Sequence, residues 1–116
     1  MSGATVAGGG SSPLRYAEVV LPVPVPRTYT YRLPESLAGH VVPGARVVVP
    51  VRRRRIVGVV VAVDAPAPGV AAKSIEAAPD RERPALSPAL LELGRWISRY
   101  YGAPLGLALR ALLPGA

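Results

Sequence analysis

At 116 residues the chain has the size of one domain and can bury a core without metal or disulfide staples. It contains no cysteine, which excludes a disulfide framework and a zinc–thiolate site, and one histidine with seven carboxylates leaves little for another metal. No apolar run nears the roughly 20 residues of a membrane span, no signal-peptide pattern opens the chain, and the expected location is cytoplasmic.

The net charge is +7, and Lys73 is the one basic residue that is not arginine. Residues 1–64 carry eight arginines against Glu18, Glu35 and Asp64, a balance of +5, and the remainder adds +2. This asymmetry points to a polyanionic partner, nucleic acid ahead of membrane, because no long basic amphipathic helix is present. A bias to arginine alongside abundant Ala, Gly and Pro is also what a GC-rich genome produces, so the weight rests on the charge.

The first residues, Gly, Ser and Ala without periodicity, read as a disordered tail over residues 1–15. Tyr16–Leu21 is the first expected strand. Pro22, Pro24 and Pro26 then alternate with apolar residues and hold Val23 and Val25 in a stiff extended path. Tyr29–Arg32 has the β-branched and aromatic alternation of a short half-buried strand. Two readings stand here: a rigid surface presented to a ligand, or an edge strand whose prolines block aggregation. Residues 34–44 read as a loop closed by the Pro43-Gly44 turn, in which the lone His40 has no assigned role.

Arg46–Val51 and Ile56–Val63 form an expected hairpin joined through Arg52–Arg55. The second run is apolar on both faces, as in a strand inside a small barrel, and Gly58 is its candidate bulge. Lys73–Ala77 reads as a last short strand and residues 80–84 as a solvated connector. Ser87 and Pro88 open a helix as N-cap and first residue. Its expected inward stripe is Leu90, Leu93, Ile97 and Tyr100 or Tyr101, with Trp96, Tyr100 and Tyr101 in the core. Gly102 and Pro104 stop it, and a shorter helix follows with Leu105, Leu109, Leu112 and Leu113 inward. The fold class is α+β: a small bent antiparallel β-barrel-like sheet (16–78) followed by a C-terminal helical hairpin (87–113).

Catalytic patterns are missing. Gly8-Gly9-Gly10 lacks the Lys-Ser/Thr of a phosphate-binding loop, and no nucleophile elbow or Ser-His-Asp set can be assembled around His40. The chain is not expected to be an enzyme on its own. Arg52–Arg55 reads either as a hairpin tip contacting phosphates through guanidinium forks or as a solvated loop. Tyr29 and Tyr31 share one strand face, so at most one of them reaches a ligand as a stacking platform.

Three segments in order, Leu21–Glu35 (LPVPVPRTYTYRLPE), Gly44–Asp64 (GARVVVPVRRRRIVGVVVAVD) and Tyr100–Pro114 (YYGAPLGLALRALLP), carry a resemblance. Residues 16–116 resemble the N-terminal 3′ DNA-binding domain of primosomal protein N′, the PriA replication-restart helicases of bacteria. The resemblance implies a module that grips the 3′ terminus of the nascent leading strand at stalled or branched forks. Its pocket positions fall on Tyr29, Thr30, Arg52 and Lys73, and Arg27, Arg53, Arg54 and Arg55 are the expected phosphate contacts. Two positions depart from the family pattern. Thr30 stands at the family aspartate, keeping hydrogen bonding without charge, and Arg52 stands near the family glycine.

The resemblance further implies branched or 3′-ended DNA, the helicase lobes of the same protein and single-strand-binding protein as partners, with no membrane. No cofactor is expected for these residues, ATP and zinc belonging to the remainder of the family protein. Two other readings stay open: a nonspecific basic nucleic-acid module, and a domain that docks helicase lobes or single-strand-binding protein.

Overall fold

The computed structural model describes residues 14–25 and 27–114. The expected tail lies outside that range except for Leu14 and Arg15, and so does Pro26 of the proline ladder. Four strands, β1 (Tyr16–Val20), β2 (Tyr29–Arg32), β3 (Arg46–Val51) and β4 (Arg54–Val63), precede helices α1 (Pro88–Tyr101) and α2 (Leu105–Leu112). The expected loop after β2 contains a 3-10 helix at Glu35–His40. All strand pairs are antiparallel, in the order β2-β1-β4-β3. The sheet curls into a half-barrel with the two helices after it, the α+β class expected.

Alternation along the strands divides the apolar residues between two layers. Ala17, Val19, Tyr31, Val47, Val49 and Val60 point into the barrel with Ile75, while Val20, Val59 and Val61 pack against Leu86, Leu91 and Leu109 under the helices. This is why β4 is apolar on both faces: one serves the barrel interior and the other the helical layer. A register shift keeps this arrangement going. Val19 faces Val60 but Glu18 faces Ala62, so Val61 is an extra residue that returns Val63 to the inner face.

The bulge is therefore at Val61 and not at Gly58, which pairs regularly with Val47. Gly58 is instead a close-approach position. A Cβ there would lie 2.6 Å from Val19 Cγ1 and 2.8 Å from the Val20 carbonyl oxygen.

Three other expectations change. The β3–β4 turn is only Arg52-Arg53, because Arg54 and Arg55 already pair with Val51 and Pro50. Lys73–Ala77 is not a continuous strand but a strap that makes isolated bridges to both sheet edges, at Arg32↔Ser74 and Val48↔Ala77. Asp80 is not solvated: it is 9% exposed and accepts from the Arg46 guanidinium (2.7 Å) and from the backbone N–H groups of Arg46 (2.8 Å) and Ala85 (3.0 Å). Burial pushes its carboxyl up, but those donors and the Arg46 charge hold it below the ordinary carboxylate value. The proline ladder also departs from a straight path. The Val23 N–H bonds the Leu21 carbonyl (2.8 Å), an i to i+2 bond that centres a γ-turn on Pro22.

The helices are capped as expected, with the Ser87 hydroxyl accepting from the Leu90 N–H and Gly102 ending α1. The inward face of α1 is a different one, however. Leu91 and Gly94 are buried, whereas Leu93 is 42%, Trp96 49%, Tyr100 68% and Tyr101 70% exposed. The cause is packing between helices. Leu109 of α2 fills the space where a Gly94 side chain would stand, so the smallest residue of α1 faces α2 and the aromatic stripe is turned outward. On α2 the expected inward set holds: Leu109 is fully buried, and Leu105, Leu112 and Leu113 pack against the same cluster.

Candidate functional site

In a curled sheet the two edge strands face each other, and their free backbone groups need partners. Arg32 on β2 donates its N–H to the Lys73 carbonyl (2.8 Å) and accepts from the Ile75 N–H (3.0 Å), while the Leu33 N–H turns the other way, to Arg15 (2.8 Å). On β3, the Val48 N–H reaches the Ala77 carbonyl (2.9 Å) and its carbonyl accepts from the Glu76 N–H (2.8 Å). The strap at 73–77 thus saturates both edges over one stretch.

Two residues along each strand the backbone points the same way again. On β3 that residue is Pro50, which has no N–H to leave unpaired, and its carbonyl accepts the Tyr31 hydroxyl (3.0 Å). On β2 it is Thr30, whose N–H and carbonyl therefore face the open edge. Between the two edges lies a hollow of about 470 Å³, walled by Thr28–Tyr31, by Pro50–Arg52 and by the loop ending at Lys73.

Five of the eight residues singled out in the sequence line this one hollow: Arg27, Tyr29, Thr30, Arg52 and Lys73. They come from three separated stretches, brought together by the curl and the strap. The other three do not line it. Arg53 and Arg54 are exposed on the hairpin tip, and Arg55 is paired with Glu76 at 2.7 Å.

The two tyrosines divide as their shared face requires. Tyr31 is 6% exposed and anchors the floor; burial first, and the neighbouring Tyr29 second, push its hydroxyl up, so it stays a hydrogen-bond donor. Tyr29 is half-buried, with the Arg27 guanidinium 4.7 Å from its ring centroid, a cation–π contact that pre-positions a charge at the rim.

Thr30 and Glu18 are cross-strand partners, and the Glu18 carboxylate takes both the Thr30 hydroxyl (2.7 Å) and the Thr28 hydroxyl (2.8 Å). Glu18 fixes the rotamers of the two wall residues and is a site-shaping group that the sequence reading passed over. The signal was available: Glu18 is the one charged residue within the β1 run and lies opposite a Thr-Tyr-Thr alternation.

Arg52 has a positive φ of 56° at the first position of the two-residue turn, whereas Arg53 does not. A turn of this hand suits glycine at that first position. Arginine there accepts a strained backbone and holds a guanidinium at the rim of the hollow.

Chemically, the hollow offers three cations, an aromatic ring and an open strand edge. Anionic oxygens can be held by guanidinium forks and the lysine ammonium, a planar group can lie against Tyr29, and small polar groups can bond the Thr30 backbone. Among the described residues no cluster of His, Asp and Glu could hold a metal ion, and no helix is long and apolar enough to cross a membrane.

Comparison with known proteins gives concordant matches. A family model described as a 3′ DNA-binding domain matches residues 18–114. The replication restart protein PriA of Bacillus subtilis is 33% identical over 108 residues, 89% of this chain and 13% of that protein. PriA of Chlamydia pneumoniae is 34% identical over 99 residues, 85% of this chain and again 13% of the relative. The chain thus spans about an eighth of the length of these curated relatives.

Proposed function

The chain belongs to the 3′ DNA-binding domain family of PriA-type replication-restart proteins, and from this we propose that it binds the 3′ end of a DNA strand in the hollow between β2 and β3. The observation that carries the reading is the convergence of Arg27, Tyr29, Arg52 and Lys73 on a gap between two strand edges. The terminal base would lie against Tyr29 and the Arg27 plane, with phosphates held by Arg52 and Lys73. Arg53 and Arg54, exposed beside the rim, would add long-range attraction and not pocket contacts.

Selectivity for a free end has a chemical basis in this arrangement. A 3′-hydroxyl can donate to the Thr30 carbonyl on the open edge. A 3′-phosphate has lost that hydroxyl proton and would set its oxygens against the Thr30 carbonyl, acceptor against acceptor. The biological target is a stalled or branched fork that exposes a nascent 3′ end, and the remainder of a PriA-type protein is the natural neighbour of the domain.

Fluorescence anisotropy of the purified chain tests this. A labelled single strand ending in 3′-hydroxyl is compared with the same strand ending in 3′-phosphate at two salt concentrations. Tighter binding of the hydroxyl strand at both salts is expected. Equal binding that collapses with salt would leave only a basic surface.

A further inference from the structure

Among the described residues, the side of α1 that carries its aromatic rings belongs to neither buried cluster. Ala89, Leu93, Trp96 and Tyr100 are all exposed and follow one another at spacings of four, three and four residues. With 3.6 residues per turn these four lie within about 60° of one another, on the side of the helix opposite the buried Leu91 and Gly94. The spacing is that of the a and d positions along a coiled-coil seam. Trp96 and Tyr100 are stacked, with ring centroids 4.8 Å apart and planes 9° from parallel, so the middle of the seam is a flat apolar surface.

The two flanks of this seam differ. Glu92 and Arg99 lie on one side, one toward each end of the helix, with side chains 70% and 66% exposed and only a long 3.7 Å contact between them. On the other side lie the exposed Leu90 and the half-buried Ile97. A seam with one charged and one apolar flank can satisfy both flanks against itself in one direction only. Two parallel copies would set the charged flank of each against the apolar flank of the other. Antiparallel copies related by a two-fold set like flank against like, so that Glu92 of each copy meets Arg99 of the other and Leu90 meets Ile97. The same register sets Leu93 against Trp96 and leaves room beside the small Ala89 for Tyr100.

We propose that the chain pairs with a second copy of itself through α1, the two helices running antiparallel. Charge complementarity selects a second copy over an unrelated protein: the acid and the base stand where a two-fold axis satisfies both, a placement that a partner of different sequence does not require. Ser98, on the other side of α1, is the residue that walls a hollow with Arg27 and Thr28, so the pairing leaves the Arg27 side of the domain uncovered. The dimer therefore carries two copies of the candidate DNA site. A helix of 14 residues is about 21 Å long. One such helix on another falls in the class of small interfaces, under roughly 1,200 Å² in total, and a dissociation constant of about 10–100 µM is expected.

Sedimentation equilibrium of the purified chain between about 5 and about 500 µM brackets that range and tests the proposal. The average mass should rise from that of a monomer toward that of a dimer. Glu92→Arg and Arg99→Glu each set like charges across the seam, and each should weaken pairing at least about tenfold. An equimolar mixture of these two variants should pair again, because every charge then meets its opposite. Trp96→Ser should remain monomeric. All these positions are exposed, so thermal melts of the variants should match that of the parent chain and separate lost pairing from lost folding. A parent chain that stays monomeric up to the highest concentration would overturn the proposal and assign the seam to a partner of different sequence. Association that both charge reversals leave unchanged, or that the mixture fails to restore, would overturn it as well.

Discussion

Replacing Arg52 with glycine should make the domain more stable and a weaker DNA binder. The residue holds φ = 56° at the tip of the β3–β4 hairpin. The left-handed conformation costs a non-glycine residue roughly 1–2 kcal/mol. Glycine removes that cost but loses about 0.5–1 kcal/mol more in chain entropy on folding. The difference is a net stabilisation of up to about 1.5 kcal/mol, which raises Tm by about a few degrees in a domain of this size. Among the described residues Arg52 makes no ion pair or side-chain hydrogen bond that would offset the gain. Arg52→Val should move Tm the other way, because a β-branched side chain tolerates positive φ worst. On the functional side, loss of one phosphate contact should reduce the slope of log K against log salt by about 0.7 for a single strand. Thermal melts followed by circular dichroism, and anisotropy at three salt concentrations, read the two effects separately. A lower Tm for Arg52→Gly, or equal melts for the glycine and valine variants, would refute the claim that the arginine is held there at a conformational cost.

Asp80→Ala should cost about 2–4 kcal/mol, since it strands two part-buried N–H groups and leaves Arg46 without its partner; a denaturant melt measures it, and a loss under 1 kcal/mol counts against the assignment. The same carboxylate makes stability fall in acid. Its folded pKa lies below the ordinary value, so its contribution is complete above about pH 4 and is lost as pH drops through the folded pKa, a decline that melts of Asp80→Asn between pH 5 and 2 should lack. Tyr31→Phe should lose about 1 kcal/mol with the bond to Pro50 and loosen the rim, seen as faster amide exchange in β2. Gly106→Ala should destabilise by roughly 1–3 kcal/mol in the same denaturant melt, because a methyl there meets the Leu21 carbonyl where α2 rests on the end of β1.

The strands and the turn that carry the candidate site were legible from strong local signals, whereas its pocket residues came from the family resemblance. Tyr29 and Thr30 sit in a clean two-residue alternation, Arg27 follows a proline ladder, and Arg52 follows an edge proline in a hairpin. That they share a hollow with Lys73 was implied only by the family resemblance. No local rule brings a residue from the loop after β4 to the edge of β2. Arg53–Arg55 illustrate the converse: adjacency in sequence placed them with Arg52, but a two-residue turn sends successive side chains in different directions and ties Arg55 to Glu76.

By itself the sequence determined what depends on neighbours within a few residues. The strand runs came from β-branched alternation, the hairpin from two such runs in succession, and the start and stop of α1 from Ser87-Pro88 and Gly102. The excess of positive charge in the first half belongs to it as well. Tertiary structure decided what depends on contacts between distant segments. Whether Asp80 is solvated turns on a strand 34 residues away, and whether Gly58 bulges or merely lies close to β1 turns on the cross-strand register. The face of α1 shows the difference most clearly. Hydrophobic periodicity alone assigns Leu90, Leu93, Ile97 and Tyr100 or Tyr101 to the inside. Close packing against Leu109 needs the small Gly94 at the contact, and that requirement rotates the aromatic stripe into solvent.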